Sequence, residues 1–243
     1  MWRRRSITIT GIIMNGALYL SIQFVIGGGH LVLPVLALTL PAMFAYVTAS
    51  TAALQGSGGI AEEVNGGTLE QAHLSPARPS LLVAGRLAAL AVEELAAATA
   101  LAIAFGIGYG PHWVIWPDAL VPLALTILDA LGYALLMTAL TLRVASIGAV
   151  VHVFNMAIIF FGGMLIPITL FPRGVEIFAR FLPTALGTEV LNTMLAGRGL
   201  STAWSNATLP WLLVHVVVLG ALAWAAYLHT VRRARREGGL SPR

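Results

Sequence analysis

Cysteine is absent from this 243-residue chain, and so is lysine, since all 14 basic residues are Arg. Without cysteine there is no disulfide framework, no thiol nucleophile and no thiolate metal site. Without lysine, no G-x-x-x-x-G-K-[ST] phosphate loop is possible, because nothing would reach the phosphates. The nearest Gly-rich run, GIGYG at 106–110, ends an apolar block, is followed by Pro111 and precedes no cytosolic helix. The histidines at 30, 73, 112, 152, 215 and 229 are scattered and form no H-E-x-x-H, so no zinc pattern exists, and each reads as an interfacial residue near a span end. Charge is scarce too: 10% of residues are charged and 58% are hydrophobic. In soluble domains about a quarter are charged, so a soluble globule of this size could not hide its apolar surface. The chain carries no visible chemistry of its own, and directional work would need a partner or an ion gradient.

What is present is a series of long apolar blocks, with a mean hydropathy of +0.86. A span needs about 20 mostly apolar residues, and six blocks qualify: 7–26, 31–54, 81–107, 119–142, 145–170 and 209–229. GGGH at 27–30 is a tight turn that makes the first two spans a hairpin. The pI near 10.1 suggests nucleic acid, but the basic residues cluster at the chain ends, which suits membrane orientation and no nucleic-acid partner. Arg3, Arg4 and Arg5 precede the first block, and Arg232, Arg233, Arg235 and Arg236 follow the last. The positive-inside rule then places both termini in the cytoplasm, as an even span count requires. Arg143 and the 55–80 segment fall on the same side. Arg173, Arg180 and Arg198 fall outside, partly balanced by Glu176 and Glu189. The basic start and apolar run also fit a signal peptide, but no small-residue cleavage site follows and a hairpin partner does. All-Arg usage with abundant Ala, Gly and Leu suggests a GC-rich bacterial source.

One polar island interrupts the apolar blocks: EEVNGGTLEQAHLSP at 62–76. Asn65-Gly66-Gly67 gives a turn, and Thr68 is placed to cap a helix start, with Gln71 at capping-box spacing. Glu70 in the first turn suits the helix dipole, and Pro76 and Pro79 bar continuation. The result is a helix of about two turns along the membrane surface, with Leu69 and Leu74 toward the bilayer, or else a solvated loop with a capped turn. Further on, Pro167 and Pro172 break the fifth block, and residues 172–199 read as two short re-entrant or interfacial helices or as an ordinary extracellular loop. Within the spans, Glu93, Glu94 and Asp129 are expensive to bury and so are candidates for a polar path. Arg86 lies on about the face of Glu93, which also allows a structural ion-pair network. Asn155 is a candidate hydrogen-bond partner.

Two stretches resemble ABC-2 type transporter permeases. The first comprises Glu62, Glu63, Gly67, Thr68, Leu69, Glu70, Gln71, Ser75 and Pro76, the family's cytoplasmic element between spans two and three. The second is FFGGMLIPITLFPRGVEIFARFLPTALGTEVL, whose Gly162, Gly163, Pro167, Pro172 and Pro183 look like its C-terminal signature. The adjacent pair Glu93-Glu94 departs from the general pattern. The resemblance implies an all-α polytopic fold with six transmembrane helices and cytoplasmic termini. A short amphipathic coupling helix would join helices 2 and 3, and re-entrant or interfacial helices would join helices 5 and 6. It also implies the membrane half of an exporter in the bacterial cytoplasmic membrane, moving a drug, antibiotic or lipid-like substrate. The partners would be two ATP-binding cassette subunits, which hold the ATP and Mg, together with a second permease subunit, identical or homologous, and membrane lipid; the chain itself would hold no cofactor and no metal. The rival class is an ion-coupled carrier or channel working through Asp129, Glu93 and Glu94. An intramembrane enzyme lacks a nucleophile–base or metal pair.

Overall fold

A computed structural model describes residues 2–32, 117–141, 148–163, 165–194 and 199–237, with shorter pieces between 39 and 103, of which 42–47 and 85–93 are the longest. All regular structure among the described residues is helical. The principal helices are α1 (Trp2–Ile26), α2 (Leu120–Thr141), α3 (Gly148–Phe161), α4 (Arg173–Arg180), α5 (Ala185–Thr193), α6 (Gly199–Ser205) and α7 (Thr208–Glu237). Among the described residues, two helices, Leu120–Thr141 and Thr208–Arg233, are long and apolar enough to cross a membrane. At 1.5 Å per residue, α2 runs about 33 Å, enough for a hydrocarbon core of about 30 Å. The polar island at 62–76, Glu94, Arg143 and Arg198 lie outside the described residues.

α2 is the hub. Every residue from Asp129 to Leu135 is buried, so the helix is covered on all sides at that level. Tyr133 and Met137 pack with Tyr19 of α1, Met43 and Tyr46 of the 42–47 helix, and Val151 and Ile158 of α3. Ile127, Leu131 and Ala134 pack with Ala52 and with Leu90 of the 85–93 helix. The third neighbour is α7, where Leu135 and Ala139 meet Ala223, Tyr227 and Val231. One turn before those residues, a Cβ on Gly132 would lie 3.5 Å from the Gly220 backbone nitrogen. Small residues at such a crossing let two helix backbones approach closely. Residue numbers rise together along this contact, so α2 and α7 run parallel. α7 shows the rest of its apolar surface outward, including Trp211, Val214, Val217, Val218 and Leu222.

Two side-chain bonds tie the bundle laterally. The Tyr19 and Thr39 hydroxyls lie 2.8 Å apart in the interior, and the Tyr133 hydroxyl donates to Asn155 Oδ1 at 3.4 Å. Buried polar side chains of spanning helices need such partners.

The fifth apolar block is not one continuous helix to Leu170. α3 stops at Phe161, and the break falls at Gly162-Gly163, ahead of the prolines. The Gly162 N–H still bonds the Ile158 carbonyl at 2.8 Å, but Gly163 turns to φ 90°, the left-handed helix end that glycine supplies without a Cβ clash. Pro167 then leads a short 3-10 turn, Ile168–Leu170. Pro172 leads α4, its carbonyl accepting from the Val175 and Glu176 N–H groups at 2.8 and 2.9 Å. Phe161 packs edge-on against Phe178 with ring centroids 5.6 Å apart, which folds α4 back against the end of α3.

A buried clasp between two spans and the α4–α5 corner

The candidate site begins at a corner. Between α4 and α5 the chain reads Phe181-Leu182-Pro183-Thr184, with Leu182, Pro183 and Thr184 all buried. Thr184 takes φ 75°, ψ −19°, a left-handed conformation that costs a β-branched residue free energy and persists only where its surroundings hold it. Its side chain caps nothing, and its hydroxyl is buried without a partner. The corner is held instead by its backbone. The Thr184 N–H donates to Asp129 Oδ2 at 2.7 Å, and its carbonyl accepts from the Thr188 N–H at 2.9 Å and the Thr188 hydroxyl at 3.0 Å. Asp129 thus supplies a carboxylate at the start of α5, where the helix dipole favours negative charge.

The second oxygen of Asp129 turns to the last span. Oδ1 lies 2.8 Å from His215 Nδ1 on α7. The other ring nitrogen, Nε2, lies 3.3 Å from the Phe181 carbonyl, on the far side of the same corner. Asp129 is 1% exposed and the His215 side chain 16%. One carboxylate and one imidazole therefore join α2, α7 and both ends of the corner in a closed ring of contacts.

Depth follows from the helix register. Asp129 is nine residues into α2, about 14 Å from its start. Three residues earlier, Thr126 packs on Gly187 so closely that a Cβ there would lie 2.9 Å from the Thr126 Cβ and closer still to its hydroxyl. Residue numbers fall along α2 as they rise along α5, so α5 runs back toward the start of α2. There Leu186, Val190 and Met194 pack with Leu209 and Leu212 of α7 and with Ala119. The chain after α3 thus descends beside the spans to the level of Asp129 and climbs again.

A second polar cluster lies on the two short helices. Arg180 Nη2 is 2.9 Å from Glu176 Oε1 and 2.9 Å from Glu189 Oε1. The Glu189 side chain is only 10% exposed, and its Oε2, Arg180 Nε and Asn192 Oδ1 are buried without partners. These three atoms and the Thr184 hydroxyl oxygen are the unpartnered buried side-chain atoms among the described residues, and all four fall between residues 180 and 192.

The sequence-derived candidates distribute as follows. Asp129 meets the corner that contains Pro183. Asn155 bonds Tyr133, one turn along α2 from Asp129. Glu93 and Arg86 both sit half-buried on the 85–93 helix. Gly162, Gly163, Pro167 and Pro172 shape the entry to α4. Glu62, Glu63, Gly67, Thr68, Leu69, Glu70, Gln71, Ser75, Pro76 and Glu94 lie outside the described residues. His215 and Thr184 are the members that sequence reasoning missed. The signal for His215 was available: it is the one ionisable residue between 209 and 226 of the last block, and an intramembrane ionisable group calls for a partner by default. For Thr184 there was no signal, because its contribution is a backbone N–H.

Among the described residues no group of His, Asp and Glu side chains is placed to hold a metal ion. Searches of curated proteins and of solved structures return no match. A family model described as ABC-2 type transporter matches residues 1–196, a range that takes in the Asp129 and Thr184 sides of the clasp and stops short of His215. With 196 of 243 residues matched and apolar helices of spanning length on either side of the clasp, the chain belongs to the ABC-2 type transporter family.

Proposed function

We propose that this chain is the permease subunit of an ATP-driven exporter in a bacterial cytoplasmic membrane. It has six spans with both termini in the cytoplasm, and it forms the translocation path with a second permease subunit. Two separate ATP-binding cassette subunits bind ATP and Mg and hydrolyse the nucleotide; this chain does neither. The observation that carries the reading is the family match over residues 1–196 in a chain that has no lysine with which to build a phosphate loop.

In this reading the 62–76 helix seats in a groove of the ATPase subunit, with Glu62, Glu63, Leu69 and Glu70 in the coupling element and Gly67, Thr68, Gln71, Ser75 and Pro76 fixing where it starts and stops. Closure of the ATPase pair pushes that helix and rocks the spans. Residues 171–199 form the outer cap of the path. Their descent to the level of Asp129 and return along α2 supports a re-entrant arrangement, because backbone at membrane depth is tolerated only where protein or water satisfies it, as Asp129 does for Thr184. The substrate is hydrophobic or amphiphilic, of a drug, antibiotic or lipid-like class, and efflux is the direction of transport.

The buried Asp129–His215 pair favours one competing reading, an ion-coupled carrier that needs no ATPase and works through Asp129, Glu93 and Glu94. Affinity purification of the chain from its native membrane separates the two. Co-purification of a phosphate-loop ATPase with ATP-stimulated transport is expected; gradient-driven transport by the isolated chain would overturn the proposal.

A further inference from the structure

The hydrogen-bond arithmetic of the clasp fixes how many protons it holds. At one end the Thr184 N–H can only donate, so Asp129 Oδ2 must present a lone pair at their 2.7 Å contact. At the other end the Phe181 carbonyl can only accept, so His215 Nε2 must carry a hydrogen. Between them, Oδ1 and Nδ1 stand 2.8 Å apart, a contact that holds when one hydrogen lies between the two atoms. Aspartate with imidazolium satisfies all three contacts, as does aspartic acid with imidazole protonated on Nε2. Both forms hold the same single titratable proton, and both leave the pair neutral overall, as burial favours.

Adding a second proton sets two donors against each other, either at Oδ1···Nδ1 or at the Thr184 N–H. Removing the one proton leaves either two lone pairs facing across Oδ1···Nδ1 or Nε2 bare toward the Phe181 carbonyl. The clasp is therefore complete at one proton and loses a bond in either direction. We infer that Asp129 and His215 form a one-proton site whose occupancy decides whether the Phe181–Thr184 corner stays fastened to α2 and α7. Thr184 adds leverage: its left-handed backbone and unpartnered hydroxyl favour leaving the fastened state once the N–H bond is lost.

The other ionisable groups on the packed elements are accounted for. Tyr133, one turn along α2, bonds Asn155. On α4 and α5, Arg180 bonds Glu176 and Glu189, and Arg173 opens α4 at the surface. Asp118 is exposed ahead of α2, and on α7 Tyr227, which packs with Leu135 and Ala139, and His229, Arg232, Arg233, Arg235, Arg236 and Glu237 all follow His215 by 12 residues or more.

The inference rests on the reading of residues 171–199 as the cap of the path, and its test is separable from that reading. The native chain has no cysteine, so spin labels on Phe181→Cys and Val218→Cys, both at exposed positions, report the corner–α7 distance in the full chain in lipid nanodiscs. The short-distance population is expected to dominate in a middle pH window and to be lost on both sides of it. Asp129→Asn, whose amide can accept from Thr184 and donate to a neutral His215, is expected to lose the alkaline limb and keep an acid one. His215→Asn is expected to do the same, and the double variant to be flat across pH. A wild-type distance that is flat with pH, a single limb, or a double variant that keeps both limbs would overturn the inference. If that happened while the ATPase-linked complex still transported, the one-proton site alone would fall. Loss of ATP-dependence with a two-limbed profile retained would instead remove the exporter reading.

Discussion

Asp129 reaches from the middle of α2 to the backbone of Thr184, 55 residues on, and holds it at 2.7 Å. Removing that carboxylate leaves a buried N–H and a buried imidazole nitrogen without partners. Asp129→Ala is expected to destabilise the protein by about 3–5 kcal/mol, the range for breaking a buried charged pair from one side. Asp129→Asn keeps an acceptor for Thr184 and a donor for His215, and should stay within about 1 kcal/mol of the native protein. Thermal unfolding in detergent at neutral pH compares the two; equal losses would mean that the contact does not fasten the corner.

Thr184 permits a test of the backbone itself. At φ 75° a β-branched residue is strained by roughly 1–2 kcal/mol, and its hydroxyl gains nothing. Thr184→Gly relieves the strain but loosens the unfolded chain by about 0.5–1 kcal/mol, so a neutral or slightly stabilising effect is expected. Thr184→Pro removes the donor and cannot adopt a positive φ, so it should cost about 3 kcal/mol or more. A proline variant as stable as wild type would show that the corner has another anchor.

Where α5 meets α2, Gly187 faces Thr126 with no room for a methyl group. Gly187→Ala should push α5 off α2 and cost about 1–3 kcal/mol, as overpacking does. Combined with Thr126→Gly, which clears both clashing atoms, the loss should be partly recovered. A double-mutant cycle on unfolding temperature measures the coupling; strictly additive losses would contradict the close approach.

The helical class and the apolar blocks were legible because lipid forces a backbone to satisfy itself within a helix, which leaves long uninterrupted hydrophobic runs. The alternation of Val175, Phe178, Ala179 and Leu182 with Arg173, Glu176 and Arg180 likewise marked residues 172–199 as amphipathic; Ala179 and Leu182 are buried as that pattern asks, whereas Phe178 is half exposed. The end of α3 was misplaced because the prolines at 167 and 172 are the louder signal, whereas the chain breaks at Gly163 through a positive φ that composition does not display. The clasp was half legible. Asp129 stood out as a deep carboxylate, but its partner is 86 residues away on α7, and no local periodicity links the two.

The cluster around Arg180 separates an exposed pair from a buried one. Glu176 is an i,i+4 partner on the surface of α4, whereas Glu189 is largely buried on α5. Glu176→Ala should cost about 0.3–0.5 kcal/mol, as helix-surface pairs do. Arg180→Ala strips the buried Glu189 of its partner and should cost several times as much. Arg180→Ala paired with Glu189→Leu is expected to recover most of that loss, since a well-packed apolar replacement of a buried pair is often neutral. Unfolding temperatures at neutral pH rank the three variants against the native chain, and equal losses for Glu176→Ala and Arg180→Ala would contradict the assignment.

The exporter reading turns on the segment at 62–76, which in that proposal is where the ATPase subunit takes hold of the chain. The decisive measurement is ATP-dependent substrate transport alongside ATP hydrolysis in the reconstituted complex, with Glu70→Ala and Gly67→Pro set against the native chain. Hydrolysis that continues while transport falls at least tenfold in both variants is the expected result. Transport that proceeds undiminished in either variant, or that runs in the native chain without any ATPase subunit, would contradict it.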